Sequence, residues 1–426
     1  MGYPKPFPAI ALVLTILVAP DVAAQPSNTP IAPHPGAAIF QQNCSACHQS
    51  DSGVTSEQGG PALEYLQTLS AATLEFAINE GVMYGQASVL SNQEKAFIVG
   101  YLAAPEDSSW VAATMCAEDN RNVDLQQPVY LAGVGVDRHS TRNMTATNAG
   151  LRTADFSNLE LAWAMAFPDA RALRASPVMV GNTLFFAATG TRKILAIDVN
   201  LGCAKWVFES PTRMRSSLAY GPLGAGGLNA LIYGDAEGNV YAINAANGEQ
   251  VWATDVRSHG RAVRLTGGMV LHADKVIVPV SDSGVSQGGT PTFECCIGHG
   301  EIVTLDAATG AIDWVYHTMP EAEYTGKLNS IGVRLRGPSG APIWSTPTVD
   351  ARRGRIYVTT GENTSHPATV TSDAIIALDL ATGEQLWVFQ GLWNDVWNTA
   401  CGRVAGPNCP NQAPSTLADK DFGGSA

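Results

Sequence analysis

One eleven-residue pattern occurs four times without a gap, and it constrains the fold more than any other feature of the chain. Thr304–Trp314 reads TLDAATGAIDW, Ala377–Trp387 ALDLATGEQLW, Ala242–Trp252 AINAANGEQVW and Ala196–Trp206 AIDVNLGCAKW. All align on an Asp or Asn, a Gly four residues later and a Trp four after that. This reads as strand, tight turn, strand. Ile302, Val303 and Leu305 lead in as a half-buried strand does. Asp-x-x-Thr-Gly is turn chemistry, with Gly310 or Gly383 able to take positive φ. The Trp opens the return strand and buries a large aromatic face against the next unit. Successive Trp residues lie 46, 62 and 73 apart, longer than one hairpin and suited to four strands, the size of a propeller blade. Four unrelated hairpins are the alternative, and the matching turns argue against it.

The chain has 426 residues, more than one ordinary core, so two or more domains are expected. Its 45% hydrophobic and 15% charged residues suit a globular β-rich protein. A net charge of −13 argues against nucleic-acid or anionic-membrane partners. Residues 1–24 read as a signal peptide: Lys5 in a thin basic region, the apolar run Ile10–Val18, and Val22-Ala23-Ala24 before a cut at Gln25. The run is too short for a membrane anchor. The expected location is therefore the periplasm, where disulfides are permitted. Residues 25–35 form a Pro-rich linker.

Residues 36–104 form the next domain. Cys44-Ser45-Ala46-Cys47-His48 is the CxxCH attachment signature of c-type haem. The two thiols bond the haem vinyl groups and His48 supplies one axial ligand. A structural Cys44–Cys47 disulfide is the rival reading, disfavoured by the adjacent His and the Gly59-Gly60-Pro61 loop. Met83 lies between probable helices 71–80 and 91–103, where small cytochromes c carry their axial Met; Met115 is the weaker candidate. A Met/His pair raises the haem potential and favours accepting electrons.

Residues 105–160 link this small all-α domain to the propeller that occupies 161–426, and Leu161-Ala162-Trp163 looks like the last strand of a blade. Blade-like units then run over 175–208, 218–253, 266–317 and 344–389. The third and fourth carry insertions, 281–293 and 362–372, of the kind that forms a binding face.

The repeat, the adjacent Cys295 and Cys296, and the haem-bearing N-terminus together resemble the pyrroloquinoline-quinone (PQQ) dehydrogenases. The segments TPTFECC, GAPIWSTPTVD and GENTS after an N-terminal cytochrome favour the polyvinyl alcohol branch of that family. The resemblance implies an eight-bladed propeller, of which about four blades are visible here, the chain breaking off at Asp421–Ala426 in what looks like the opening of another. It implies PQQ and Ca²⁺ beside haem c, a vicinal Cys295–Cys296 disulfide against one face of the quinone, and Trp344 stacking on the other. Calcium wants hard oxygen ligands, and the family pattern points to Glu294 and to Asn363, with Glu362 close behind. The pattern departs at the catalytic base: the family's Asp position holds Asn398, and an amide is no general base. Asp395, three residues earlier, offers a carboxylate or a cation ligand, and Asn398 a substrate or cation contact. Cys401 and Cys409 bracket a Gly/Pro loop suited to a local disulfide. Cys116 and Cys203 remain, although sequence alone does not fix connectivity.

The implied activity is oxidation of a secondary alcohol, such as polyvinyl alcohol, with electrons passing from PQQ to haem c and on to a soluble cytochrome c. The alternatives are a non-catalytic propeller scaffold, which needs neither haem nor the cysteine pair, and an electron-transfer cytochrome with a degenerate propeller.

Overall fold

A computed structural model describes residues 34–48, 60–79, 81–87, 89–104, 109–136, 141–168, 173–257, 263–402, 405–410 and 420–425. The proposed signal peptide, most of the Pro-rich linker, Gly59 and Glu80 lie outside the described residues.

The N-terminal domain is helical: α1 (Pro35–Asn43), α2 (Leu63–Leu66), α3 (Ala71–Asn79), α4 (Tyr84–Ala87) and α5 (Asn92–Leu102). Ser91 starts α5 through a capping box, its hydroxyl accepting from the Glu94 backbone N–H while the Glu94 carboxylate accepts from Ser91 N–H. Phe40, Leu66, Leu74, Ile98, Val99 and Leu102 form the core. Gly36 permits the closest contact between α1 and α5, because a Cβ there would lie 2.0 Å from the Phe97 carbonyl oxygen.

The connecting segment carries α6 (Ser109–Thr114) and α7 (Ala146–Ala149). It also contributes β1 (Val129–Leu131), which adds antiparallel to β2 (Val178–Val180). The first blade continues through β3 (Thr183–Ala188), β4 (Lys193–Asp198) and β5 (Ala204–Glu209). The second is β6 (Ala219–Pro222), β7 (Asn229–Gly234), β8 (Asn239–Asn244) and β9 (Gln250–Asp255). In the third, β10 (Val263–Arg264) and β11 (Val270–His272) both pair with the long β12 (Lys275–Asp282). The insertion helix α8 (Gly284–Gln287), β13 (Glu301–Asp306) and β14 (Ile312–His317) complete it. A hairpin of β15 (Glu323–Leu328) and β16 (Arg334–Gly337), then β17 (Ser339–Gly340), leads to the fourth blade: β18 (Thr348–Asp350), β19 (Arg355–Thr359), β21 (Ala374–Asp379) and β22 (Gln385–Gln390). Within its insertion β20 (Asn363–Ser365) pairs with β17. The described residues thus form four meander sheets of the propeller type. At the inner ends of the blades, Gly133, Val134, Tyr220, Met269, Leu271 and Pro347 line a cavity of about 240 Å³.

The recurring sequence pattern has a direct physical meaning. Each turn Asp or Asn accepts from backbone N–H groups two or three residues ahead: Asp198 from Asn200 and Leu201, Asn244 from Ala246, Asp306 from Thr309, Asp379 from Ala381 and Thr382. The following Gly takes positive φ, +67° to +77° across the four units. It also has to be Gly because the Trp of the preceding blade lies on it. A Cβ on Gly248 would meet the Trp206 ring at 2.8 Å, one on Gly310 would meet Trp252 at 2.8 Å, and one on Gly383 would meet Trp314 at 2.4 Å. Trp206 and Trp252 fix this docking by donating Nε1–H to the carbonyls of Ala245 and Ala307. Each pair of blades then shares a core, such as Ile232, Trp252, Val278 and Leu305 between the second and third.

Two expectations change. The lead-in strand β13 is buried on both faces from Glu301 to Leu305, because blades stack on either side. Leu161–Trp163 form no strand among the described residues. Trp163 nevertheless fills the docking position of a preceding blade, its ring over Gly202 and its Nε1–H donated to Val199 O at 2.7 Å.

Candidate functional site

In the helical domain Cys44 and Cys47 are free thiols, whereas the other six cysteines are paired. Burial pushes the Cys44 thiol up, and Cys47 adds to the shift. His48 is buried and its Nδ1 lies 2.7 Å from Pro61 O, which orients the ring and leaves Nε2 for a ligand. Gly60 sits against that ring, with space for no Cβ, which would fall 2.1 Å from His48 Cε1. This arrangement fits a covalently attached haem. Met83 occupies the turn between α3 and α4, half-buried, with its N–H bonded to Ala77 O. Met115 instead pairs through its backbone with Ala204 at the first blade.

Cys295 and Cys296 are disulfide-linked across a cis peptide and are 1% and 0% exposed. Cys116–Cys203 ties the connecting segment to the first blade, and Cys401–Cys409 closes the loop after Asn398. The two blade insertions meet at the vicinal pair. Cys296 Sγ lies 3.8 Å from Gly284 O in α8 and 3.7 Å from Thr364 O in β20. Asn398, fully buried, donates Nδ2–H toward Cys295 Sγ (3.5 Å), Thr364 O (3.0 Å) and Asn408 O (3.1 Å).

The same end of the propeller gathers carboxylates. Asp395 is 8% exposed, and its Oδ2 is buried with no hydrogen-bond partner among the described residues. Burial raises its pKa and the nearby Asp421 raises it further, against a smaller opposing effect of Lys420. Glu362 is buried, and its N–H donates to Asp421 Oδ1 at 3.1 Å. Asn363 connects to the Asp395 segment through its backbone, its N–H bonded to Asp395 O and its carbonyl to Trp397 N–H. Its side chain is used internally: Oδ1 accepts from Thr369 N–H at 2.8 Å and Nδ2 donates to Ser339 O at 3.0 Å.

Glu294 sits differently from the cation ligand expected. Its carboxylate is clasped by Arg334 (2.6 and 2.8 Å) and Arg336 (2.8 Å) on the β15–β16 hairpin. Those guanidiniums, Arg336 first, hold it below the usual glutamate range. An oxygen pair already neutralised by two cations is a poor calcium donor. Trp344 is a third exposed, and its ring packs beside Gly423 of the C-terminal segment, whose Gly424 carbonyl accepts from Thr359 Oγ1.

Sequence reasoning missed Tyr84. Its hydroxyl donates to Ser286 O of α8, burial raises its pKa, and Thr290 and Arg264 face it. The residue after Met83 thus anchors the helical domain to the insertion that touches the vicinal disulfide. Nothing in the local sequence around Tyr84 marks a partner two hundred residues away.

The class defined by these features is that of quinoprotein propellers with an attached cytochrome. Residues 134–402 match the family described as glucose/ethanol/alcohol dehydrogenase, β-propeller domain, under the heading PQQ, and the chain belongs to it. Residues 32–102 match the cytochrome c oxidase cbb3-type subunit III cytochrome. Similar proteins include a polyvinylalcohol dehydrogenase of Pseudomonas sp., 29% identical over 90% of this chain and 61% of that protein. Another, from Sphingopyxis sp. (strain 113P3), is 30% identical over 88% of this chain and 59% of its own length. The chain therefore spans about three-fifths of the length of these curated relatives. Among solved structures, the quinohemoprotein alcohol dehydrogenase from Comamonas testosteroni aligns with a TM-score of 0.47 at 22% identity, covering 68% of this chain and 45% of that one.

Proposed function

We propose that this chain is a haem- and quinone-bearing, exported alcohol dehydrogenase, acting on secondary alcohols with polyvinyl alcohol as the polymeric substrate. Support comes from the family, from the two polyvinyl alcohol relatives, and above all from one contact. Tyr84, beside the candidate axial Met83, hydrogen-bonds α8, and α8 in turn touches Cys296. The cytochrome is thereby held at the end of the propeller where the cysteine pair, Asn398 and Asp395 lie.

PQQ, when bound, supplies a quinone that accepts the hydride of an alcohol C–H bond. The chain's own residues supply the rest. In the family pattern the vicinal disulfide and Trp344 would flank a flat ring; here the disulfide is buried against α8 and β20, and Trp344 packs beside Gly423. Asp395 and Glu362 would hold Ca²⁺, a hard cation that suits buried carboxylate oxygens. Asp395, whose affinity for protons is raised by burial and Asp421 while no ion is bound, is our candidate to take the alcohol proton. Asn398, a donor to three acceptors, positions the disulfide wall. Cys44, Cys47, His48 and Met83 would hold the haem, a one-electron carrier, and a soluble periplasmic cytochrome c would be the final acceptor.

The test follows haem α-band absorbance of the haem-loaded protein after adding polyvinyl alcohol or a small secondary alcohol, with PQQ and Ca²⁺ each present or omitted. Reduction that needs all three components is the expected result. A normal haem spectrum together with no PQQ binding, measured separately by fluorescence titration, overturns the reading.

A further inference from the structure

A second cluster of ligating side chains lies on the third blade, outside the groups considered so far. His299 follows the vicinal disulfide by three residues and bridges to Gly340 through its backbone. Glu301 opens β13, and His317, its cross-strand partner, closes β14. His299 Nε2 and His317 Nδ1 are 2.9 Å apart, and Glu301 Oε1 lies 3.6 Å from the first and 3.5 Å from the second. A carboxylate oxygen of Glu321 joins them, with the His299, His317 and Glu321 ligand atoms all within 4.8 Å of one another. The His299 and Glu301 side chains are 1% and 0% exposed, while His317 is 37% exposed and Glu321 is exposed. The cluster thus has a dry floor and an open side through which an ion can enter.

We propose that His299, His317, Glu301 and Glu321 form a zinc site. Around a tetrahedral Zn²⁺ with bonds of roughly 2.0–2.2 Å, neighbouring ligand atoms stand about 3.3–3.6 Å apart. The three measured separations bracket that spacing. Two imidazole nitrogens with carboxylates form a donor set of borderline softness that suits zinc, whereas an all-oxygen set suits calcium. The site does not depend on the quinone reading. Its role is architectural: the ion ties β13 and β14 to the strap that begins at Thr318. That strap leads into the β15–β16 hairpin, whose Arg334 and Arg336 clasp Glu294 beside the disulfide.

The experiment uses the full haem-loaded chain, stripped with chelator and held in excess Ca²⁺ to occupy hard-oxygen sites. ZnCl₂ is titrated calorimetrically, and the zinc K-edge absorption spectrum is recorded on the loaded sample. One zinc per chain with two imidazoles in its shell is expected, with at least about tenfold weaker binding in His317→Gln and in Glu321→Gln. Both altered side chains are on the surface, so the variants keep their fold, and unchanged circular dichroism checks this. Wild type that takes up no zinc overturns the proposal. So does a His317→Gln protein that binds zinc with wild-type affinity, since that ion must then sit elsewhere.

Discussion

The turn glycines offer the sharpest test of how the blades are joined. Gly310 and Gly354 both have left-handed backbones, φ +73° and +62°. They differ in their surroundings. A Cβ on Gly354 meets nothing within 4 Å, whereas one on Gly310 would stand 2.8 Å from Trp252 Cδ2 and Cε3 and from Thr254 Oγ1. Gly354→Ala therefore bears only the left-handed penalty, about 1–2 kcal/mol. Gly310→Ala bears the same penalty plus displacement of a buried Trp ring. Overpacking costs about 1–3 kcal/mol, and loss of the Trp252–Ala307 hydrogen bond about 1 kcal/mol more. The loss of chain freedom in the unfolded state is common to both and cancels. Urea denaturation followed by Trp fluorescence should therefore place Gly310→Ala about 2–4 kcal/mol below Gly354→Ala, with the slope unchanged. In a Trp252→Leu background the excess should largely vanish. Equal costs for the two substitutions, or an excess that survives the loss of Trp252, would refute the claim that the pattern encodes docking between blades.

Three further outcomes follow from the site. Asn398→Asp turns a donor to three acceptors into a carboxylate facing them, so it should cost roughly 3–5 kcal/mol in urea denaturation and add no activity. Asp395 has a folded pKa raised by burial and by Asp421, so its contribution to stability is complete below the ordinary aspartate range and is lost as pH climbs through the raised value. Asp395→Asn should flatten that loss in a melting-temperature series without calcium from about pH 4 to about pH 8. Replacing both Cys116 and Cys203 by Ser opens a crosslink with a sequence separation of 87 and should lower unfolding free energy by roughly 4–5 kcal/mol, read by the same denaturation assay.

What the sequence makes legible depends on how local the physics is. The blade turn is written within eleven residues, because Asp, Gly and Trp act on their immediate backbone and on the adjoining blade. The haem attachment is written within five. The burial of β13 on both faces is not, since it depends on blades contributed by segments before and after it. The same holds for Trp163, which docks as a blade Trp without sitting in a strand. The sequence places Glu294 beside the cysteines, and only the fold brings Arg334 and Arg336 across to neutralise it.

The site at the disulfide end shows why matching a position is not matching a role. Asn398 stands where the resemblance expects a carboxylate, and its sequence neighbours suggest a lost base. The structure gives the amide a task that a carboxylate is unable to perform: three acceptors, Cys295 Sγ, Thr364 O and Asn408 O, converge on one NH₂ group. One carboxylate at this end belongs to Asp395, whose Oδ2 is buried without a hydrogen-bond partner among the described residues. A buried, unpartnered carboxylate oxygen is costly to keep unless a proton or a cation completes it. Oδ2 is thus suited to either of two tasks, holding a divalent ion or receiving a proton, one at a time. Asn398→Asp and Asp395→Asn separate these roles: the first should damage the wall around the disulfide, the second the cation and proton site while leaving that wall in place.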